Sequence, residues 1–150
     1  MELWGLVLYC LKSNTMVAED FKHKEITEKI IKAYYTVYNK LGFGFLEKVY
    51  ENAMVIELKK AGLYADKQVG INVYYEGENI GVYFADLKVN GVVIVELKAG
   101  NDLSEEHEAQ LTNYLRASDI EVGLLLCFGK TTKIKRKAFS NEYKSIEQGL

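Results

Sequence analysis

The stretch VVIVELKAG, residues 92–100, does most to limit what this chain can fold into. Its β-branched run Val92–Val95 is too short for a helix and has the composition of a strand buried on both faces. Such a strand needs a covering layer on each side of its sheet. The strand then ends on Glu96 and Lys98, which alternation puts on one face. Removing a carboxylate and an ammonium from water costs roughly several kcal/mol each. Either this face opens to water, or the charges have a partner such as a metal.

The flanking sequence supplies the layers. From Glu19 the pattern is helical: Ile26, Ile30, Tyr34, Val37 and Leu41 form a stripe, while Lys24, Glu28, Lys32 and Lys40 face away. Gly42 suits the position that ends a helix. A second helix is expected over GFLEKVYENAMVIELKKAG, with Leu46, Val49, Tyr50, Ala53 and Ile56 recurring at helical spacing. The period then drops to two. Val69, Ile71, Val73 and Tyr75 alternate, a turn falls at Glu76–Asn79, a strand runs to Val89, and a second turn at Asn90–Gly91 leads into the strand above. LSEEHEAQLTNYLRAS reads as a helix with Asp102 or Ser104 as N-cap. EVGLLLCFG is another buried strand, and KTTKIKRKAF adds an edge strand in which lysines alternate with Ile134 and Arg136. The order α-α-β-β-β-α-β, with that further strand, predicts an α/β fold: one mixed β-sheet flanked by helices, its third helix crossing over to a parallel strand.

With 150 residues and 49% hydrophobic content, the chain suits one domain with a substantial core. Residues 19–150 are expected to form it. A net charge of −2 excludes a general polycation, so any nucleic-acid contact must come from a local patch. Cys10 and Cys127 are too few for a disulfide framework or a zinc site, which points to a reducing cytoplasm. The apolar start MELWGLVLYC is too short to span a bilayer and lacks the flanks of a secretory signal, so no membrane partner is expected. Residues 1–18 read as a dispensable extension, with Met16 an alternative start.

One other acid lies inside an apolar strand. Asp disfavours strands, so Asp86 in VYFADLKV needs a reason. A two-residue turn at Asn90–Gly91 would pair Asp86 with Val95 and set Glu96 on the opposite face. An odd-length connection, with Gly91 left-handed, would bring Asp86, Glu96 and Lys98 together. The sequence permits both, and the charges favour the second. Two carboxylates with a backbone carbonyl and water make an all-oxygen site suited to Mg²⁺ or Mn²⁺ and not to zinc. A neighbouring lysine would steady a developing anion or position water, and together these are the parts that hydrolyse a phosphodiester. A surface ion pair plus an isolated acid is the structural alternative.

FADLKVNGVVIVELKA resembles the PD-(D/E)XK nuclease core, with Asp86 on the first strand, Glu96-x-Lys98 on the second, and Ala85 in place of the eponymous proline. GFLEKVYENA is similar to the G-x-x-E-x-x-Y signature of a set of small proteins in that superfamily, through Gly44, Glu47 and Tyr50. EHEAQLTNYLRA resembles the Q-x-x-x-Y motif of RecB-type nucleases through Gln110 and Tyr114. The likeness runs in order from about Glu25 to Arg136. It implies a restriction-endonuclease-like fold and a Mg²⁺- or Mn²⁺-dependent nuclease. Asp86, Glu96 and the carbonyl of Leu97 would hold the metal with help from Glu47. Glu51, on the same helix, is the reserve candidate but is expected on a solvated face. Gln110 and Tyr114, four apart on one helical face, would orient the lysine or a phosphate, and Gly44 and Tyr50 would shape the helix start. His107 is read as a bystander or cap.

A lysine is charged at neutral pH, so Lys98 is assigned electrostatic help and not general-base duty. Lys133, Lys135, Arg136 and Lys137 belong to the densest positive stretch, suited to a phosphate backbone or equally to a solvated edge that resists aggregation. Nucleic acid, DNA above RNA, is the expected partner. The alternatives are a nuclease fold used only for binding, and a homodimeric resolvase of branched DNA.

Overall fold

The computed structural model describes residues 22–146. The N-terminal extension and the expected helix start at Glu19 lie outside them. Helix α1, Lys24–Leu41, buries Thr27, Ile30, Ala33, Tyr34 and Val37, so the expected stripe packs inward and its neighbours Ile26 and Leu41 flank it. It stops at Gly42, whose φ of 68° favours glycine and whose amide donates to the Tyr38 carbonyl at 2.8 Å.

Helix α2, Glu47–Lys60, is rotated from the expected face. It buries Tyr50, Glu51, Met54 and Leu58, whereas Leu46 is 79% exposed, Ile56 58% and Val49 39%. Tyr50, Met54 and Leu58 are spaced by four, which gives a narrow stripe against α1 and the sheet. Tyr50 fixes the entry to α2, its hydroxyl donating to the Gly42 carbonyl at 2.8 Å and accepting from the Phe45 amide at 3.3 Å. Its ring stacks on Phe128 with centroids 4.0 Å apart.

The strands are β1 (Ala65–Tyr75), β2 (Glu78–Val89), β3 (Val93–Ala99), β4 (Val122–Phe128) and β5 (Thr132–Ala138), with helix α3 (Glu105–Ala117) between β3 and β4. They form one sheet in the order β1-β2-β3-β4-β5, antiparallel except for the β3–β4 pair. The mixed α/β fold and its element order are those expected, including the extra edge strand β5. On one face, α1 and α2 cover Leu87, Val95, Leu97, Leu124 and Phe128; on the other, α3 covers Ile94 and Leu125. This double cover accounts for the apolar run of β3, in which Val93 to Leu97 are all buried. α3 lies close to the sheet: a Cβ added at Gly123 would stand 2.7 Å from Leu111. Ser104 caps α3, accepting from the His107 amide at 3.2 Å, while the His107 ring accepts from the Ser104 amide at 3.2 Å. His107 is thus a cap. Among the described residues no helix is long and apolar enough to cross a membrane.

Candidate active site where two strands part

The β2–β3 connection decides where the acids point. Val89 pairs with Val93, so Asn90, Gly91 and Val92 form an odd-length link, with Asn90 at φ 50° and Gly91 at 69°. That register carries Asp86 opposite Glu96. The regular ladder, however, ends at Leu87–Val95. Beyond it each carboxylate reaches the other strand's backbone: the Asp86 amide donates to Glu96 Oε1 at 2.9 Å, and the Leu97 amide donates to Asp86 Oδ2 at 2.8 Å. The two side chains therefore converge, and alternation along β3 puts Lys98 on the same face as Glu96.

Two helices and one strand close around the pair. From α2, Glu47 Oε1 accepts from the Ala99 amide at 3.3 Å and remains exposed. Glu51, one turn on, is only 3% exposed, which corrects its expected place on a solvated face. It is held by Lys48 at 2.8 Å and by the Gln68 side chain, which donates to Glu51 Oε2 at 2.9 Å and to Asp86 Oδ1 at 3.3 Å. On the far side, the Gln110 amide donates to the Tyr114 hydroxyl at 2.6 Å. Tyr114 packs with Ala85, Ile94 and Leu125, which flank Asp86 and Glu96 in the sheet.

Burial pushes the Glu96 carboxyl up to about 8, and the Asp86 charge adds to the shift; the Asp86 amide and the Lys98 charge oppose it. Asp86 is also raised, again chiefly by burial, with the Leu97 amide, Gln68 and Lys98 pulling the other way. The charge of Glu47 raises both acids. Tyr114 is raised by burial and then by the charge of Glu96. Burial first, and the acids' mutual repulsion second, thus disfavour their ionised forms, and a cation bound between them would offset both.

Among the described residues, no three His, Cys, Asp or Glu side chains gather into a group able to hold a metal by themselves. Mg²⁺ does not require that, since it commonly takes one or two carboxylates and keeps several waters. The donors here are all oxygen, and among the described residues nothing donates to Glu96 Oε2. The chemistry of the set fits a hard divalent cation.

Gln68 is the residue that periodicity missed. Its φ of 51° is unusual for a non-glycine residue, and it interrupts β1 opposite Asp86, between the Lys67–Leu87 and Val69–Ala85 pairs. Gln68→Gly should raise the Asp86 pKa in the metal-free protein, because it removes a hydrogen bond to the carboxylate. Relief of the left-handed backbone should offset the lost bonds, leaving the melting temperature within a few degrees (~1 kcal/mol on each side). Carbon-13 NMR titration of the Asp86 carboxyl, beside a melting curve, checks both. An unmoved Asp86 titration would exclude the bridge.

The basic residues of β5 are divided. Lys133 pairs with Asp102, Lys137 with Glu108 at 2.8 Å, and Arg136 donates to the Lys22 carbonyl at 2.8 Å on the α1 side. Lys135 is exposed.

No curated protein matches the sequence. A solved structure described as "Crystal structure of SSO0001" is similar at 19% identity with a TM-score of 0.45, over 83% of this chain and 61% of that one. The chain thus spans less than two thirds of that structure's length. The profile of the PD-(D/E)XK nuclease superfamily matches residues 24–138, from the start of α1 to the end of β5. Because that match covers both helices before the sheet, all five strands and the crossover helix, the chain belongs to the PD-(D/E)XK nuclease superfamily.

Proposed function

We propose that this protein is a Mg²⁺- or Mn²⁺-dependent nuclease of the G-x-x-E-x-x-Y group, hydrolysing phosphodiester bonds of nucleic acid. One observation carries the reading: two carboxylates buried enough to resist ionisation converge beside Lys98 where β2 and β3 part. A merely structural acid pair on apolar strands would be poorly placed, since burial and mutual repulsion both work against it.

In this reading Asp86, Glu96 and the Leu97 carbonyl hold the cation, and Glu47 adds its charge from the start of α2. The cation supplies Lewis acidity at the phosphate and an acidified water. The chain's own groups do the rest. Lys98 sets a positive charge beside the phosphate oxygens as negative charge grows on them. Gln110 holds the Tyr114 hydroxyl, on which the charges of Glu96 and Asp86 act, and that hydroxyl orients a phosphate oxygen or the lysine. Lys135, with Lys133 and Lys137 on the same face of β5, contacts the backbone farther along the nucleic acid, each contact steepening the salt dependence of binding, while Arg136 is held on the α1 side and takes no part.

Titration calorimetry with Mn²⁺ tests the metal centre before any substrate is known. The wild type should bind, and Asp86→Asn should weaken binding at least ~10-fold, since a carboxylate ligand is lost. A wild type that binds no divalent ion would overturn the reading.

A further inference from the structure

Beyond the carboxylates, the outer half of the β1–β2 hairpin, α3 and Ile146 border an open cavity of about 500 Å³. Its lining includes Val73, Tyr83, Gln110, Asn113, Tyr114 and Ala117. Tyr83 is 50% exposed and forms one wall, its ring centroid 5.8 Å from that of Tyr114 and inclined at 45°. Gln110 and Tyr114 line this cavity, and the charges of Glu96 and Asp86 act on Tyr114, so the cavity adjoins the carboxylate pair.

We propose that this cavity takes a single unpaired nucleobase of the strand whose phosphodiester lies at Asp86 and Glu96, which makes single-stranded nucleic acid the substrate class. The inference rests on the nuclease reading and deepens it. Among the described residues the lining holds one acid, Glu106, and no lysine or arginine, which disfavours a phosphate as its occupant. A base is the uncharged, planar part of a nucleotide. Tyr83 offers it an aromatic face, Val73 and Ala117 an apolar surround, and the side-chain amides of Gln110 and Asn113 reach its polar edge. A base inside a duplex is stacked on both sides and paired, and would have to be extruded before entering. A base in a single strand has no such barrier.

The test uses matched oligonucleotides, DNA and RNA, single-stranded and duplex, with Mn²⁺, and a set in which one abasic position is moved along the single strand. Wild type should cut the single strand at least ~10-fold faster in kcat/KM than the duplex. It should lose on the order of 10- to 100-fold when the abasic position falls at one fixed distance from the cut, the usual range for a base–aromatic stack. Tyr83→Ala should show that loss on the intact strand and no further loss at the abasic position. Tyr83→Phe, which keeps the stack, should retain the abasic penalty that Tyr83→Ala loses. Sensitivity of the DNA set, the RNA set or both says which sugar the site accepts, and any of these supports the base pocket. Equal cutting of duplex and single strand, no sensitive abasic position, or a full abasic penalty persisting in Tyr83→Ala each overturns it. No cleavage of any of these substrates by a wild type that binds Mn²⁺ would instead overturn the nuclease reading, and the pocket with it.

Discussion

Glu96→Gln is expected to make the metal-free protein more stable than the wild type at pH 8 and above, by on the order of a few kcal/mol. The sign follows from the direction of the shift. The Glu96 carboxyl is raised from 4.5 to about 8 in the fold, so between those values the folded chain keeps a proton that the unfolded chain has released. Its contribution is complete below about pH 4.5 and is lost as pH rises through about 8. Glutamine stays neutral throughout and keeps an oxygen to accept the Asp86 amide. The variant's stability should therefore fall less between pH 5 and pH 9. Asp86→Asn should gain less, because Asp86 accepts the Leu97 amide and Gln68 on different oxygens and an amide has only one acceptor to offer. Mn²⁺ at about a hundred times its dissociation constant should stabilise the wild type by about 2.7 kcal/mol by binding only the folded chain, and both variants should lose most of that gain. Unfolding curves from pH 5 to pH 9, with and without Mn²⁺, supply every comparison. A structural ion pair predicts the reverse: Glu96→Gln would strand Lys98 and lower stability with or without the ion.

The residues differ in how much of this was legible beforehand. The meeting of Asp86 and Glu96 was legible in part: Asn90–Gly91 permits a two-residue turn as well as an odd-length link, and the charges inside apolar strands, read with the period of two, favoured the odd-length link that the structure has. The buried face of α2 did not follow. Leu46, Val49 and Ile56 are apolar yet point outward, while Glu51 shares the inward side with Met54 and Leu58. A carboxylate becomes tolerable inside only with partners, and of those of Glu51 periodicity reveals Lys48, one turn before on the same helix, but not Gln68, which β1 brings. β5 teaches the same lesson. Its alternating lysines were plain, but Asp102 and Glu108, which pair with Lys133 and Lys137, come from segments distant in sequence. Patterns along the chain specify what a residue is next to in its own element. They are silent on what a neighbouring element brings to it.

Lys98→Ala should lower kcat of Mn²⁺-dependent cleavage by about 100- to 1,000-fold, the usual cost of removing one group that stabilises transition-state charge. Its effect on metal affinity should run the other way. The Lys98 charge acts on both Asp86 and Glu96, favouring their ionised forms, but it also repels a cation placed between them. At a pH above the Glu96 titration both carboxylates are ionised with or without the lysine, so only the repulsion is removed and Mn²⁺ binding should hold or tighten. Near pH 6 the lost help in ionising the acids should offset part of that gain. Calorimetric affinities at the two pH values, set beside single-turnover cleavage, separate the lysine's two roles. A variant that loses metal affinity at high pH in proportion to its activity would make Lys98 a support for the carboxylates instead of a partner of the phosphate. A variant that keeps tight binding and loses turnover places its charge where the reaction develops its own.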